Sequence, residues 1–171
     1  MNDVRDDAGA WLETLRRNSG LALDPEGRWR YGAGFVENER VAEMFHGGVV
    51  VRPDGEVTLT VGRMWAYVKC EGPARFVRGV RGRQLELLGG GALDLDTHSV
   101  AGWGPDDRLY LWVDEGGPLK VLRAPHMAFV AQLETQPPPE HDRLVLRCAG
   151  LEIPVITIAQ VPGPRGAAPS S

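Results

Sequence analysis

Cysteine is scarce in this sequence, and the two that occur form no recognisable site. Cys70 and Cys148 are far apart in the chain, show no metal-ligand spacing and each fall in an apolar pattern typical of a strand. A buried free thiol in such a pattern behaves as a small hydrophobic side chain. We therefore expect two buried free thiols and no cysteine metal centre.

Long hydrophobic runs are also absent. No segment approaches the roughly 18 apolar residues that a membrane-spanning helix needs. Residues 1–7 are acidic and contain no apolar core, so they do not resemble a secretory signal. We expect a protein without a membrane span that resides in the cytoplasm.

An excess of positive charge is missing as well. Lys and Arg number 19 against 23 Asp and Glu, and the net charge of −4 does not favour a nucleic-acid partner. One local group of arginines comprises Arg75, Arg78, Arg81 and Arg83. Because glycines are interspersed with them, this group is more typical of the solvated rim of a hairpin than of an anion site.

Motifs that carry enzyme chemistry are not found. No serine lies in a Gly-x-Ser-x-Gly elbow, and Cys70 has no identifiable basic partner. The run Gly89-Gly90-Gly91 follows a predicted strand, but it opens no helix and precedes no Lys-Ser/Thr pair. It therefore indicates a turn and not a phosphate-binding loop. We expect a non-enzymatic protein without a cofactor.

Glycine and proline, in contrast, are plentiful at 22 and 13 residues, which favours many short elements joined by turns. Helices are predicted at 7–17, after Asp6 or Asp7 as cap, at 38–47 with Asn38 as cap, and at 125–134 beginning with Pro125. Alternating patterns predict strands at 28–36, 49–52, 56–61, 64–70, 75–80, 83–88, 93–96, 108–113, 119–122, 144–148 and 151–158.

This order of elements predicts an α+β fold, mainly antiparallel, in two small domains. We place an N-terminal helix at 1–19, an N-terminal α+β domain at 20–78, and a C-terminal β-rich domain with one helix and a final hairpin at 79–158. Residues 159–171 have the composition of a disordered tail. An isolated helix of this length is marginal in water, so the apolar stripe around Trp11 must dock on something.

Residues 29–76 carry a further pattern, in which a tryptophan opens a strand, a capped helix ends in an apolar pair, and an Asp-Gly turn leads to a strand that ends before a proline. The residues concerned are Trp29, Met44-Phe45, Asp54-Gly55, Leu59 and Cys70-Glu71-Gly72-Pro73-Ala74-Arg75-Phe76. In order and spacing this segment resembles the bacterial domain-of-unknown-function 1285 family. The resemblance implies two small β-rich domains, the second similar to a pleckstrin-homology barrel, and a role in ligand binding or signalling. It implies no catalytic activity.

One constellation could hold a metal. Asp94, Asp96 and His98 stand at alternate positions, so on a strand their side chains would face one side and could converge on a divalent ion. This reading would support a metal-assisted enzyme. The alternative is that Leu93 and Leu95 take the buried face and leave the other three solvated. No further histidine stands at a spacing that completes a site, and we expect no bound metal.

Two predicted strands carry aromatic residues opposite a face that is already apolar. Trp65 and Tyr67 belong to one strand, and Tyr110 and Trp112 to the other. A strand that is apolar on both faces is either covered by a helix or forms the wall of a site. The first and last helices could cover these aromatic faces; alternatively, the two pairs line one pocket between the domains.

Three polar residues stand near the ends of the aromatic strands and could edge such a pocket: Arg63, Glu71 and Asp114. The leading hypothesis is therefore a non-enzymatic ligand-binding or regulatory module that holds an unknown small molecule or peptide at the domain junction. A further alternative is a protein-interaction module that uses the edge of the last hairpin, residues 151–158, for strand addition. A homodimer is also open.

Overall fold

The structure of the protein is a computed structural model, which describes residues 3–131, 133–135 and 144–170. Within these ranges the helices are α1 (Asp3–Arg17), α2 (Glu39–Gly47) and α3 (Arg123–Val130). None of the helices in the described ranges is both long enough and apolar enough to cross a membrane.

The first sheet is built by the N-terminal part of the chain. Its strands are β1 (Leu21–Leu23), β2 (Trp29–Tyr31), β3 (Gly34–Phe35), β4 (Val49–Val51), β5 (Val57–Val61) and β6 (Met64–Cys70). Their order across the sheet is β3-β2-β1-β6-β5-β4. The central pair β1–β6 is parallel, and the other pairs are antiparallel.

The second sheet follows in the chain. Its strands are β7 (Arg75–Arg81), β8 (Gln84–Leu87), β9 (Ala92–Asp94), β10 (Val100–Trp103), β11 (Leu109–Trp112), β12 (Leu119–Val121), β13 (Leu133–Thr135), β14 (Leu144–Cys148) and β15 (Leu151–Thr157). Their order is β13-β14-β15-β10-β11-β12-β7-β8-β9. Two pairs, β10–β15 and β12–β7, are parallel. The predicted α+β fold with mainly antiparallel sheets is confirmed.

Local signals explain why several of these elements form. The Asn38 side chain accepts hydrogen bonds from the backbone N–H groups of Arg40 and Val41, at 3.1 and 3.2 Å, and so caps α2. In the hairpin β4–β5, the Asp54 carboxylate accepts the Glu56 N–H at 3.0 Å. Such side-chain bonds satisfy backbone groups that the helix or ladder leaves free.

The last helix is shorter than predicted. It ends at Val130, and Leu133–Thr135 forms strand β13, which pairs with residues 144–146 of β14. The prediction that the helix continues to residue 134 is therefore wrong. The helical spacing of apolar residues carries no information about a strand partner that follows later in the chain. Here the pairing with that partner overrides the local helical preference.

Strand β7 lies between the two hydrophobic cores. Phe76 packs into the core of the first sheet, whereas its neighbour Val77 packs into the core of the second. Residues 75–77 pair with Leu119–Val121, so the whole strand belongs to the second sheet. The predicted domain boundary after residue 78 therefore falls inside β7, and the chain changes sheets between Cys70 and Arg75.

The C-terminal segment, residues 159–170, differs from the disordered tail that its composition predicts. The Trp112 indole N–H donates to the carbonyl of Gly166 at 2.7 Å, and the Arg165 guanidinium donates to the carbonyl of Arg52 at 3.0 Å. Pro162 is buried. The segment thus contacts both sheets. Its partners lie far away in the sequence, so its amino-acid composition could not predict these contacts.

Helix α1 docks by a different face from the one expected. The stripe residues Trp11, Leu12 and Leu15 are 62%, 44% and 49% exposed. The helix is instead attached at its C-terminal end, where the guanidinium groups of Arg16 and Arg17 lie over aromatic rings of β6. The Trp11 stripe therefore does not dock on the described part of the chain, where stacked arginines supply the contact instead.

Candidate ligand-binding cleft

A cavity of about 780 Å³ lies over the outer face of the first sheet. The end of α1, the strands β1, β2 and β6, and the β4–β5 turn contribute to its walls, together with Pro164 of the C-terminal segment. Small-molecule sites occupy roughly 300–1,000 Å³. We call this cavity the cleft, and its size suits a small organic ligand.

The floor of the cleft is a row of three residues on neighbouring strands. Ala22 of β1 pairs directly with Arg30 of β2 on one side and with Lys69 of β6 on the other. Residues directly opposite each other share a face of a sheet, and strands lie about 4.8 Å apart, so the Cα atoms of Arg30 and Lys69 are about 10 Å apart. The methyl group of Ala22 leaves the middle of the row open.

Arg17 joins several residues of one wall of the cleft. Its guanidinium lies 4.0 Å from the ring centroid of Tyr67, and its nitrogens lie 2.7 Å from a Glu56 oxygen and 3.1 Å from a Glu13 oxygen. The bond with Glu56 raises the pKa of Arg17. In addition, the Ser19 hydroxyl donates to the Tyr67 carbonyl at 2.6 Å. These contacts fix the junction of α1 with β6.

The phenol of Tyr67 stays protonated at neutral pH. A hydrogen bond with Glu13, and then burial, raise the pKa of Tyr67, although the charges of Arg17 and Arg52 oppose the shift. At the end of β6, burial raises the pKa of the Cys70 thiol to about 12. A thiol with such a pKa is a poor nucleophile near pH 7.

The charges that line the cleft differ in sign from those of the whole chain. Three cations, Arg17, Arg30 and Lys69, face two carboxylates, Glu56 and Glu71, which leaves a formal +1 in a protein of net charge −4. Arg17 and Glu56 neutralise each other. Among the described residues, the side chains of Arg30, Lys69 and Glu71 have no ion-pair partner.

Two of the predicted site residues, Tyr67 and Glu71, line the cleft. Trp65 lies beside Tyr67, with ring centroids 5.4 Å apart, but Arg16 stacks over it at 4.2 Å. Arg63 lies in the exposed turn between β5 and β6, outside the cleft.

The other three predicted residues lie in the second sheet. Tyr110 is fully buried, and its hydroxyl donates to Asp106 at 2.7 Å. Trp112 is 7% exposed and is covered by the C-terminal segment. Asp114 pairs with Arg75 at 2.6 Å, and this hydrogen bond lowers the pKa of Asp114. The structure thus does not bring these three to Tyr67.

The pleat of β6 explains why the expected shared pocket does not form. Val68 packs in a core that also contains Phe76, so this face of β6 is directed towards the second sheet. Trp65 and Tyr67 alternate with Val68 and therefore point away from the junction. The site at the domain junction is replaced by a cleft on the opposite face of the first sheet.

The residues of the metal hypothesis do not share one strand. Asp94 ends β9, and Asp96 lies in a turn, where its carboxylate accepts the N–H of His98 at 2.9 Å and the hydroxyl of Ser99 at 3.0 Å. These bonds lower the pKa of Asp96. Leu95 is buried, as the alternative to a metal site expected. In the described ranges, no group of three or more His, Cys, Asp or Glu residues is placed to hold a metal ion.

The last hairpin has partners on both sides of part of β15. Residues 151–155 of this strand pair with β14, and residues 155–157 pair with β10 in parallel. The hypothesis that residues 151–158 add a strand from a partner therefore does not hold for residues 155–157, which β10 already pairs. The hairpin completes the second sheet instead.

Sequence reasoning missed Arg17, Arg30 and Lys69 as residues of the cleft. One signal was available, since Lys69 alternates with Val68 in the same pattern as Tyr67 and so shares its face. The signal for Arg30 was missing, because its place in the cleft depends on β1. This strand has only three residues, and its parallel partner lies 47 positions further along the chain, as in the pair Ala22–Lys69.

Fold and cleft together define a small α+β protein with two sheets and a ligand-sized cavity on the first. The structure is similar to that of a DUF1285 (domain-of-unknown-function 1285) family protein from Silicibacter pomeroyi DSS-3, with 13% sequence identity, a TM-score of 0.60, and coverage of 81% of this chain and 80% of that chain. A DUF1285 family protein from Shewanella baltica OS155 aligns over 66% of this chain and 91% of that chain, with 18% identity and a TM-score of 0.49. No protein-family model and no curated protein matches the sequence. The chain has a DUF1285-like fold, as the resemblance over residues 29–76 implied.

Proposed function

We propose that the protein is a non-enzymatic module that binds a small molecule in the cleft on the outer face of the first sheet. The observation that carries this proposal is a cavity of about 780 Å³ with Arg30, Lys69 and Glu71 in its lining. Ligand sites typically combine a concave surface with a few polar groups that fix the ligand's orientation. These three side chains are suited to that role, because none has an ion-pair partner among the described residues.

The chemistry of the lining supports binding and not turnover. The Cys70 thiol, with its pKa raised to about 12 by burial, is protonated at neutral pH. The Ser19 hydroxyl donates to a backbone carbonyl, and no histidine stands in the lining to act as its base. A nucleophile with a paired base is therefore lacking in this cleft.

A regulatory role is supported by the position of the C-terminal segment. Pro164 lines the cleft, while the flanking residues of the segment contact Arg52 in the β4–β5 turn of the first sheet and Trp112 in the second sheet. A ligand that touches Pro164 would change the contacts of a segment that joins the two sheets. Binding in the cleft would then be communicated to the second sheet.

The proposal is tested by thermal-shift screening of small metabolites and short peptides with three proteins. The wild type is compared with Ala22→Phe, which fills the floor of the cleft, and with Val50→Phe, a matched change at a half-exposed position on β4 of the same sheet. A ligand at a hundredfold excess over its Kd should stabilise the wild type by about 2.7 kcal/mol. The shift should disappear in Ala22→Phe and persist in Val50→Phe.

Two results would contradict the proposal. One is that no compound stabilises the wild type, or that the shift survives in Ala22→Phe. The other is turnover of a substrate in an esterase, phosphatase or nuclease panel. Residence in the cytoplasm, a peptide as the ligand and a homodimer stay predictions.

A further inference from the structure

We infer, on the basis of the function proposed above, that the ligand of the cleft is a small organic dianion held between Arg30 and Lys69. A phosphate monoester and a dicarboxylate share this chemistry. The two cations on either side of Ala22 would select this class of ligand.

The register of three strands places the two cations. Ala22 pairs with Arg30 in β2 and with Lys69 in β6, so all three side chains rise from the same face of the sheet. The Cα atoms of the two cations are about 10 Å apart, because strand β1 lies between the strands that carry them. Both side chains are long and flexible, and only a methyl group stands between them. A compact anion therefore fits above Ala22, within reach of both cations.

Arg30 and Lys69 differ from Arg17, the third cation of the cleft, in having no ion pair among the described residues. Arg17, which lies at the same cleft, is paired with Glu13 and Glu56. No carboxylate of the described residues lies within ion-pair distance of Arg30 or Lys69. Their donors are thus available, and hydrogen bonds between ionised partners are roughly twice as strong as neutral ones.

The carboxylates of the cleft set the size of the ligand charge. Two negative charges on a ligand match the two unpaired cations, Arg30 and Lys69. Glu71 lies at the end of β6, in the same lining, and lowers the formal charge there to +1, so it repels the ligand's anionic groups and disfavours any charge beyond two. It can accept a hydrogen bond from a ligand hydroxyl or ammonium group instead. The favoured ligand therefore carries its two negative charges at one end or across a short span.

Calorimetric titrations at neutral pH and constant ionic strength test this inference. The probes are glycerol 3-phosphate and succinate, with neutral glycerol and succinamide as their matched controls. We expect the wild type to bind at least one dianion and neither neutral compound. Comparing the two dianions tells a phosphate site from a dicarboxylate site.

Matched variants locate the binding. Arg30→Gln and Lys69→Gln should each weaken the dianion by about tenfold, the usual order for one lost charge-assisted bond. Arg63→Gln removes the same charge from an exposed turn of the same sheet and should leave the Kd unchanged. Lys69→Arg keeps the cation and should retain binding, which controls for effects on folding.

Different experimental results would overturn the dianion inference and the proposed ligand-binding function. If neither dianion binds the wild type, or if Arg63→Gln weakens binding as much as Lys69→Gln does, the dianion inference is overturned. If a neutral compound then stabilises the wild type and loses its effect in Ala22→Phe, the ligand-binding function stands. If no compound of any charge stabilises the wild type, both fail.

Discussion

Replacing Lys120 with methionine should weaken the contact between the two sheets. The Lys120 side chain is 1% exposed, and its ammonium lies 3.0 Å from a Glu26 oxygen and 3.0 Å from an Asp106 oxygen. Glu26 belongs to the turn between β1 and β2, whereas Lys120 and Asp106 belong to the second sheet and its turns. Methionine keeps most of the apolar stem and removes the charge, so the variant isolates the ion pairs.

The magnitude follows from the burial of the partners. Breaking a fully buried pair costs about 3–5 kcal/mol, and an exposed pair contributes about 0–1 kcal/mol. Lys120 is buried, but the Glu26 and Asp106 side chains are 55% and 27% exposed and regain water when the ammonium is removed. We therefore expect Lys120→Met to cost about 2 kcal/mol. Glu26→Gln should cost less than about 1 kcal/mol, since Lys120 keeps Asp106.

Equilibrium unfolding in urea measures these differences as shifts in midpoint at constant slope. A matched control is Arg78→Met, which breaks the exposed pair with Glu43, also between the two domains, at 2.7 Å. It should cost less than about 1 kcal/mol. If Lys120→Met costs no more than Arg78→Met, the ion pairs of Lys120 do not hold the sheets together.

The acid side of the stability curve gives an independent check on the same cluster. Burial alone would raise the pKa of Asp106, but hydrogen bonds from Tyr110 and Lys120 outweigh it and lower the pKa below 3.8. A carboxyl with a lowered pKa in the folded state contributes stability that is present above the unfolded value and is lost as pH falls through the folded one. Below about pH 4, the wild type should lose this contribution, and Lys120→Met should lose less. An identical acid limb in both proteins would refute the reasoning.

Three further changes test other parts of the fold. Burial lowers the pKa of His46 below 6.5, so the free energy of unfolding should fall as pH falls below that value. The variant His46→Gln should lose less stability over this pH range than the wild type does. The control variant His98→Gln, at an exposed site, should behave as the wild type. Gly89 and Gly90 both have positive φ, +81° and +88°, but a Cβ at Gly89 would collide with the backbone of α2, whereas one at Gly90 would meet open space. In urea unfolding, Gly89→Ala should therefore lower the free energy of unfolding clearly more than the about 1 kcal/mol expected for Gly90→Ala. Equal losses in the two variants would contradict this contact. Trp112→Phe removes the donor to the C-terminal segment and should cost about 1 kcal/mol and speed proteolysis of that segment; unchanged proteolysis would argue against the contact.

Much of the secondary structure could be predicted because its causes are local. The cap at Asn38 and the hairpin turn at Pro53-Asp54-Gly55 depend on side chains within a few residues of the backbone they organise. The last hairpin is similar, since Ala149 and Gly150 adopt the positive φ that its short turn needs. Pairings between distant segments could not be predicted in this way. The parallel pairs β1–β6 and β12–β7 depend on contacts that no local pattern encodes.

The candidate site shows the same limit more sharply. Alternation correctly assigned Trp65 and Tyr67 to the second face of their strand, but it could not tell what covers each face. Arginines of α1 stack on the outer face, a role that a count of apolar residues does not reveal. Tyr110 was likewise assigned to a second face correctly, but an ion-pair cluster with Lys120 fills the space expected for a ligand.

The position of Pro164 links the cleft to the contacts between the sheets. The segment that carries this residue is held to the first sheet by the bond from Arg165 to the Arg52 carbonyl and to the second by the bond from Trp112 to the Gly166 carbonyl. A ligand that gains contact with Pro164 must stabilise the attached form of the segment. Linkage then requires the reverse, that loss of the attachment weakens the ligand by the same free energy. Trp112→Phe, which lies outside the cleft, should therefore raise the Kd of a ligand that contacts Pro164, whereas an unchanged Kd would mean that the ligand binds on the floor of the cleft alone.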